Sequence, residues 1–122
     1  MSMALMQWAR LQADINGQLR RGAWYPVVRL TATEAVLEVS KGKPTPVPRT
    51  LLKITPTPKH TWTVVPRPSR AVRLPASWGE SYGVCPNCRN RAPLDNHPDK
   101  LRCQRCNGIF DVAWEEHYLE SA

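Results

Sequence analysis

The sequence predicts a mainly β chain: a short N-terminal helix, a small barrel of short strands, a basic linker, and a C-terminal unit organised by four cysteines. Three observations predict it. Twelve prolines in 122 residues exceed ordinary usage and favour short strands and turns over long helices. Between Leu19 and Val65, short runs rich in Val, Leu, Thr and Trp alternate with turn residues. Cys85, Cys88, Cys103 and Cys106 fall in two CxxC pairs, and units this small usually need a staple.

Taken in order, residues 1–17 are expected to form an amphipathic helix. Leu5, Trp8, Leu11 and Ile15 recur at intervals of three and four, and Asn16-Gly17 supplies a stop. Residues 18–66 are expected to form the barrel. Its strands are sought in Arg20–Leu30, Ala35–Val39, Pro44–Ile54 and Thr61–Val65, with a hairpin at Ser40-Lys41-Gly42-Lys43. Pro44, Pro46 and Pro48 cannot donate ladder hydrogen bonds, which assigns that strand to a sheet edge. In its succession of strand lengths and turns, this stretch resembles the SH3-like barrels of Tudor and KOW modules. Trp24 and Trp62 are expected in its core. Residues 67–82, with Pro, Arg and no period, read as an extended basic linker.

Residues 83–122 hold the chemistry. Each CxxC lets two thiolates reach one ion from a single turn, and two such turns, fourteen residues apart, complete a tetrahedral shell. Arg91–Leu94 and Lys100–Arg102 are expected to pair across the turn 95–99, and Ile109–Ala113 to add a third strand with Phe110, Val112 and Trp114 on one face. The stretch CPNC, KLRCQRC and GIFDV resembles the zinc ribbons of transcription factors, RNA polymerase subunits and ribosomal proteins. One structural Zn²⁺ on Cys85, Cys88, Cys103 and Cys106 is therefore the expected cofactor. A rubredoxin-like iron site uses the same ligands and is the alternative. His97 and His117 are extra donors that a four-thiolate shell does not need.

Several classes are disfavoured. No apolar run reaches the ~20 residues of a membrane span, and the N-terminus lacks the basic start of a signal peptide. A cytoplasmic or nuclear location follows as the expectation, where paired CxxC elements signal metal rather than disulfides. No HExxH, GxSxG or phosphate-binding glycine loop is present, so neither an enzyme nor a small-molecule substrate is expected. Glu115-Glu116 reads as a solvated tail.

Charge points to the partner. Residues 1–80 carry twelve Lys and Arg against Asp14, Glu34, Glu38 and Glu80, whereas residues 81–122 carry five against six acidic residues. Lys41, Lys43, Arg49, Lys53, Lys59, Arg67, Arg70 and Arg73 follow one another with no acidic residue between them. With Arg91, Lys100 and Arg102, they are the candidate nucleic-acid contacts, and Trp62, Trp78 and Tyr82 are candidates for base stacking. Arg89 and Arg105, beside the knuckles, can instead neutralise the metal site. The expected function is accessory binding to nucleic acid or to a nucleic-acid machine of transcription or translation. The alternative is a protein adaptor that docks through the helix, a barrel edge and the acidic tail.

Overall fold

The computed structural model describes residues 7–15, 17–68 and 74–119. Its strands are β1 (Trp8–Leu11), β2 (Tyr25–Leu30), β3 (Glu34–Ser40), β4 (Lys43–Pro48), β5 (Leu52–Thr55), β6 (Thr63–Pro66), β7 (Ser81–Val84), β8 (Arg91–Pro93), β9 (Lys100–Arg102) and β10 (Ile109–Asp111). Helical structure among the described residues is limited to three-residue 3-10 turns at Arg49–Leu51, Ala76–Trp78 and Trp114–Glu116. The chain is mainly β, as its prolines and short apolar runs imply. No helix among the described residues is long and apolar enough to cross a membrane.

The expected N-terminal helix is not formed. Of its residues, 1–6 and 16 lie outside the described ones, and Trp8–Leu11 is a strand. Its backbone is claimed on both sides: Trp8 and Ala9 face Pro26 and Tyr25 of β2, while Trp8 through Leu11 face Thr55 through Leu52 of β5. A helix of three or four turns is marginal alone, so two flanking ladders decide the local conformation. Ala9 and Leu11, two apart, point into the core in agreement with a strand's period.

Five antiparallel strands follow the order β4-β3-β2-β1-β5. The hairpin at residues 40–43 joins β3 to β4, with Gly42 at φ +77 in its turn. Strand β4, carrying Pro44, Pro46 and Pro48, lies at the sheet edge as its missing N–H groups demand. The expected strand over Pro44–Ile54 is broken by the turn at Arg49–Leu51, which carries the chain to the opposite edge.

Strand β6 does not join this sheet. It pairs with β7, and β7 pairs with β8, giving a second sheet of order β6-β7-β8. Ser81 and Tyr82, expected in the linker, are therefore strand residues. Arg91–Pro93 pairs with β7 rather than across the 95–99 turn, and Lys100–Arg102 pairs with β10 instead. Val84 to Arg91 is closed by a cysteine turn tight enough to form the hairpin itself, which leaves β9 free for its own neighbour.

The β6-β7-β8 sheet separates two cores because side chains alternate across it. Val65, Tyr82 and Val84 face the five-stranded sheet and pack with Ala9, Leu37 and Leu52. Trp62, Val64 and Ala92 belong to the second core, with Leu94, Val112 and the cysteines. Gly83 shows why the layers close: a Cβ there would meet Leu94 and Trp62 at 3.0 Å. Gly22 has φ +82, and a Cβ on it would come within 2.7 Å of Val65.

The C-terminal turn locks onto the first sheet. Buried Arg10 binds Glu116 through two hydrogen bonds of 2.7 and 3.2 Å and lies between the rings of Trp24 and Tyr118, at 4.6 and 4.3 Å. The Tyr118 hydroxyl donates to the Leu11 carbonyl and accepts from the Gly22 amide at 3.0 Å. Glu116 is thus a structural partner rather than part of a solvated tail.

Candidate metal centre

The cysteines sit on two turns of the same construction. In the first, the Cys85 amide donates to the Asn90 carbonyl at 2.8 Å and the Arg89 amide to the Cys85 carbonyl at 3.1 Å. In the second, the Cys103 amide donates to the Gly108 carbonyl and the Asn107 amide to the Cys103 carbonyl, both at 2.8 Å. Each turn needs a left-handed residue just after its second cysteine. Arg89 and Asn107 fill that position, each with φ 64. Asn tolerates the conformation well. Gly108 answers a different demand, since a Cβ there would lie 2.5 Å from the Phe110 ring.

Arg89 is the costlier choice at that position, and its side chain shows what holds it there. Its Nε donates to the Trp24 carbonyl at 2.9 Å, its guanidinium lies 4.5 Å from the Tyr25 ring centre, and its carbonyl accepts from Arg20 at 2.5 Å. The first knuckle is thereby tied to the start of β2.

The four sulfurs converge. All lie within 4.8 Å of one another, with Cys88 and Cys103 at 3.4 Å and Cys85 and Cys106 at 3.8 Å. A tetrahedral ion with metal–sulfur bonds of ~2.3 Å sets its ligands ~3.8 Å apart, so this cluster has the dimensions to hold one. The separations exceed a ~2.05 Å disulfide bond, and the closest pairs join different knuckles. Among the described residues, these four form the one metal-competent group of three or more such side chains. His97 instead stacks on Trp114, with ring centres 3.6 Å apart.

The surroundings prepare the thiols unequally. Burial pushes the Cys85 thiol up to about 12 and also raises that of Cys88. A hydrogen bond from the Asn87 side chain brings Cys106 down to about 6. The Asn87 amide also points at Cys85 Sγ, at 3.4 Å, and Asn90 Nδ2 reaches Cys103 Sγ at 4.0 Å. Such N–H···S contacts spread thiolate charge. Fully buried Trp62 floors the site and donates its indole N–H to the Leu101 carbonyl at 2.8 Å. Its backbone clamps the segment after β10, accepting from Ala113 at 3.0 Å and donating to Asp111 at 2.8 Å.

The candidate nucleic-acid contacts divide. Lys41, Lys43, Lys53, Lys59 and Arg102 are exposed and take part in none of the ion pairs among the described residues. Arg49 is exposed and donates to the Thr31 carbonyl at 2.8 Å. Arg67 holds the 74–79 loop, donating to the carbonyls of Gly79 and Pro75 at 2.6 Å each. Lys100 pairs with Asp111 at 2.7 Å. Arg91 is half-buried beside Tyr82, and Arg70 and Arg73 lie outside the described residues. Trp62 and Tyr82, at 0% and 3% exposure, are closed to stacking; Trp78 is half-buried against the first core.

Protein-family models, curated proteins and solved structures were each compared with the chain, and none matches it. The four-thiol cluster is the group that the fold itself brings together. Four protein sulfurs are enough to fill the tetrahedral shell of one such ion.

Sequence reasoning missed two participants. Arg20 and Arg21 gather beside Arg91 although they lie about seventy residues from it in the chain, and Arg89, expected to neutralise the metal site, lines a hollow with Arg20. Arg20-Arg21 was visible as a pair, but nothing local linked it to the first knuckle.

Proposed function

We propose that the chain is a non-enzymatic accessory protein in which an SH3-like small barrel and a zinc ribbon together bind nucleic acid, directly or within a nucleic-acid-processing complex. The observation that carries the reading is the one-signed segment: no acidic residue falls from 39 to 79, and Lys41 and Lys43 of that run are exposed at the β3–β4 hairpin. A solvent-facing array of this kind attracts polyanions by displacing their counterions.

The barrel part is supported by strand order. The first strand lies between the second and the fifth, so the meander curls back on its own start. The ribbon part is supported by the paired knuckles and the sulfur spacing, which suit one Zn²⁺ held by Cys85, Cys88, Cys103 and Cys106. The metal would supply structure, replacing the large core that so short a segment lacks.

A shift or filter-binding assay with single- and double-stranded DNA and RNA at ~50 mM salt tests the reading. Binding that weakens steeply with salt is expected. Failure to bind any of these probes overturns it. Against the adaptor alternative stand the replacement of the N-terminal helix by β1 and the engagement of one acid of the tail, Glu116, by Arg10.

A further inference from the structure

We infer that nucleic-acid phosphates are gripped in an arginine groove between the 17–21 loop and the first cysteine knuckle, a site built from Arg20, Arg21, Arg89 and Arg91. The inference rests on the nucleic-acid reading above and specifies where the contact is made.

Two adjoining hollows define the groove, of about 280 and 270 Å³. Arg20, Arg21 and Arg91 line the first, Arg20 and Arg89 the second, and Gln18 with Arg20 belongs to both. No acidic side chain lines either hollow. Asp14 pairs with Arg21 Nε at 2.6 Å. The other large hollow on this protein is different. There Lys53 and Lys59 share the wall with Glu115 and with the Arg10–Glu116 pair.

Structure explains Arg89, which holds the knuckle to β2. Arg20, Arg21 and Arg91 also gather around Tyr82, Arg21 paired with Asp14 and Arg91 hydrogen-bonded to the Tyr82 hydroxyl, and like charges held this close repel one another. A polyanion removes that repulsion. The guanidiniums are also pre-ordered: Arg20 is anchored on the Arg89 carbonyl at 2.5 Å, and Arg89 on the Trp24 carbonyl. Their planar forks suit phosphate oxygens, and anchoring lowers the entropy lost on binding.

An extended ligand fits better than a single ion. Val39 forms part of the second hollow, two residues from Lys41 at the tip of the β3–β4 hairpin. Lys41 and Lys43 at that tip add positive charge beyond the arginines, with β3 between them carrying Glu34 and Glu38. A phosphodiester chain is long enough to reach both groups of cations. The first hollow is walled mainly by polar side chains and offers no apolar pocket for a peptide residue.

The test uses the full zinc-loaded chain and fluorescence anisotropy with 20-nucleotide single-stranded and duplex probes from 50 to 200 mM salt. Three double variants are compared: Arg20→Gln/Arg91→Gln, Arg20→Lys/Arg91→Lys and Lys53→Gln/Lys59→Gln. Each lost phosphate contact lowers the salt slope by about 0.9 on duplex or about 0.7 on single strands. The glutamine pair in the groove should therefore lose about 1.8 or 1.4 of slope, and its affinity deficit should narrow about 12-fold or 7-fold over that salt range. The lysine pair should keep most of the slope, which a purely structural role for the guanidinium forks would not allow. If wild type binds no probe, the nucleic-acid reading falls and takes the groove with it. If wild type binds and the groove's glutamine pair keeps its affinity and slope, or the Lys53/Lys59 pair carries the loss, the groove is wrong while the reading stands. Equal competition by a polyglutamate peptide of matched charge would overturn the proposal in favour of an acidic protein partner.

Discussion

Replacing Glu116 by Gln should be the most damaging single-atom-scale change outside the metal site. Arg10 has a side chain 6% exposed, and the carboxylate that faces it is 29% exposed. Breaking a buried pair by removing one partner costs about 3–5 kcal/mol, because the remaining charge is left uncompensated. Partial exposure of Glu116 admits solvent screening, which lowers the expectation to about 2–3 kcal/mol. Two aromatic faces and the Thr63 hydroxyl, at 3.4 Å, would remain around the guanidinium, but none carries the opposite charge. A chain of this size should then lose about 10 °C in Tm. Urea unfolding is the assay, since guanidinium would screen the interaction itself. Arg10→Met should be costly alone, while Arg10→Met with Glu116→Leu should recover much of the loss, because an apolar pair of similar volume replaces a buried ion pair at little penalty. The reasoning is refuted if Glu116→Gln stays within about 0.5 kcal/mol of wild type, the range of ordinary surface changes.

Three further outcomes are expected. Gly22→Ala should destabilise by on the order of 3 kcal/mol in the same assay, since φ +82 strains an L-residue and the new methyl would press on Val65 at 2.7 Å; a neutral result would contradict the packing of β6 against the 20–24 loop. The two knuckles should respond oppositely to glycine: Asn107→Gly should be neutral or slightly stabilising, whereas Arg89→Gly should cost about 1–2 kcal/mol by losing its bond to Trp24 and its contact with Tyr25, and equal responses would deny Arg89 its tethering role. Zinc uptake at pH 7.5 should release at least two protons, because the thiols of Cys85 and Cys88 are held above their usual range and must ionise to bind. Affinity should therefore rise with pH, and calorimetry in buffers of different ionisation enthalpy would show no such release if the reasoning fails.

Much of the molecule was legible in the chain because the relevant signals are local. The β3–β4 hairpin announced itself at Ser40-Lys41-Gly42-Lys43, the edge position of β4 followed from its prolines, and Trp24 and Trp62 are buried, although Trp62 lies in the second core beside the cysteines rather than in that of the barrel. The metal-competent cluster was readable for the same reason: each CxxC carries half of it within four residues. What failed depended on distant partners. Trp8 and Leu11 satisfy a helical period and a mixed strand pattern alike, and pairing with β2 and β5, up to about forty-five residues away, decided between them. The partner of β8 was misjudged because proximity across the 95–99 turn is a weaker constraint than the register imposed by the first knuckle. Arg67 was read as a free cation, yet carbonyls of Pro75 and Gly79 in a loop without period hold it. The Arg10–Glu116 pair spans 106 positions, and no spacing rule reaches that far.

The placement of the second core would give an ion bound by the four cysteines a wider role than bracing its own knuckles. Trp62 and Val64 touch the cysteine cluster from one face of β6, while Val65 on the other face completes the first core. Loss of the ion should therefore loosen the floor on which the five-stranded sheet rests. The arginine groove would be affected too, since Arg89 belongs to the knuckle and anchors Arg20.

Native mass spectrometry of the purified full chain tests the central claim most directly, because the mass reports metal identity and number together. The account predicts one zinc ion per chain, lost in Cys103→Ser together with the compact charge-state distribution. A compact wild-type chain carrying no metal, or one carrying iron, would contradict it.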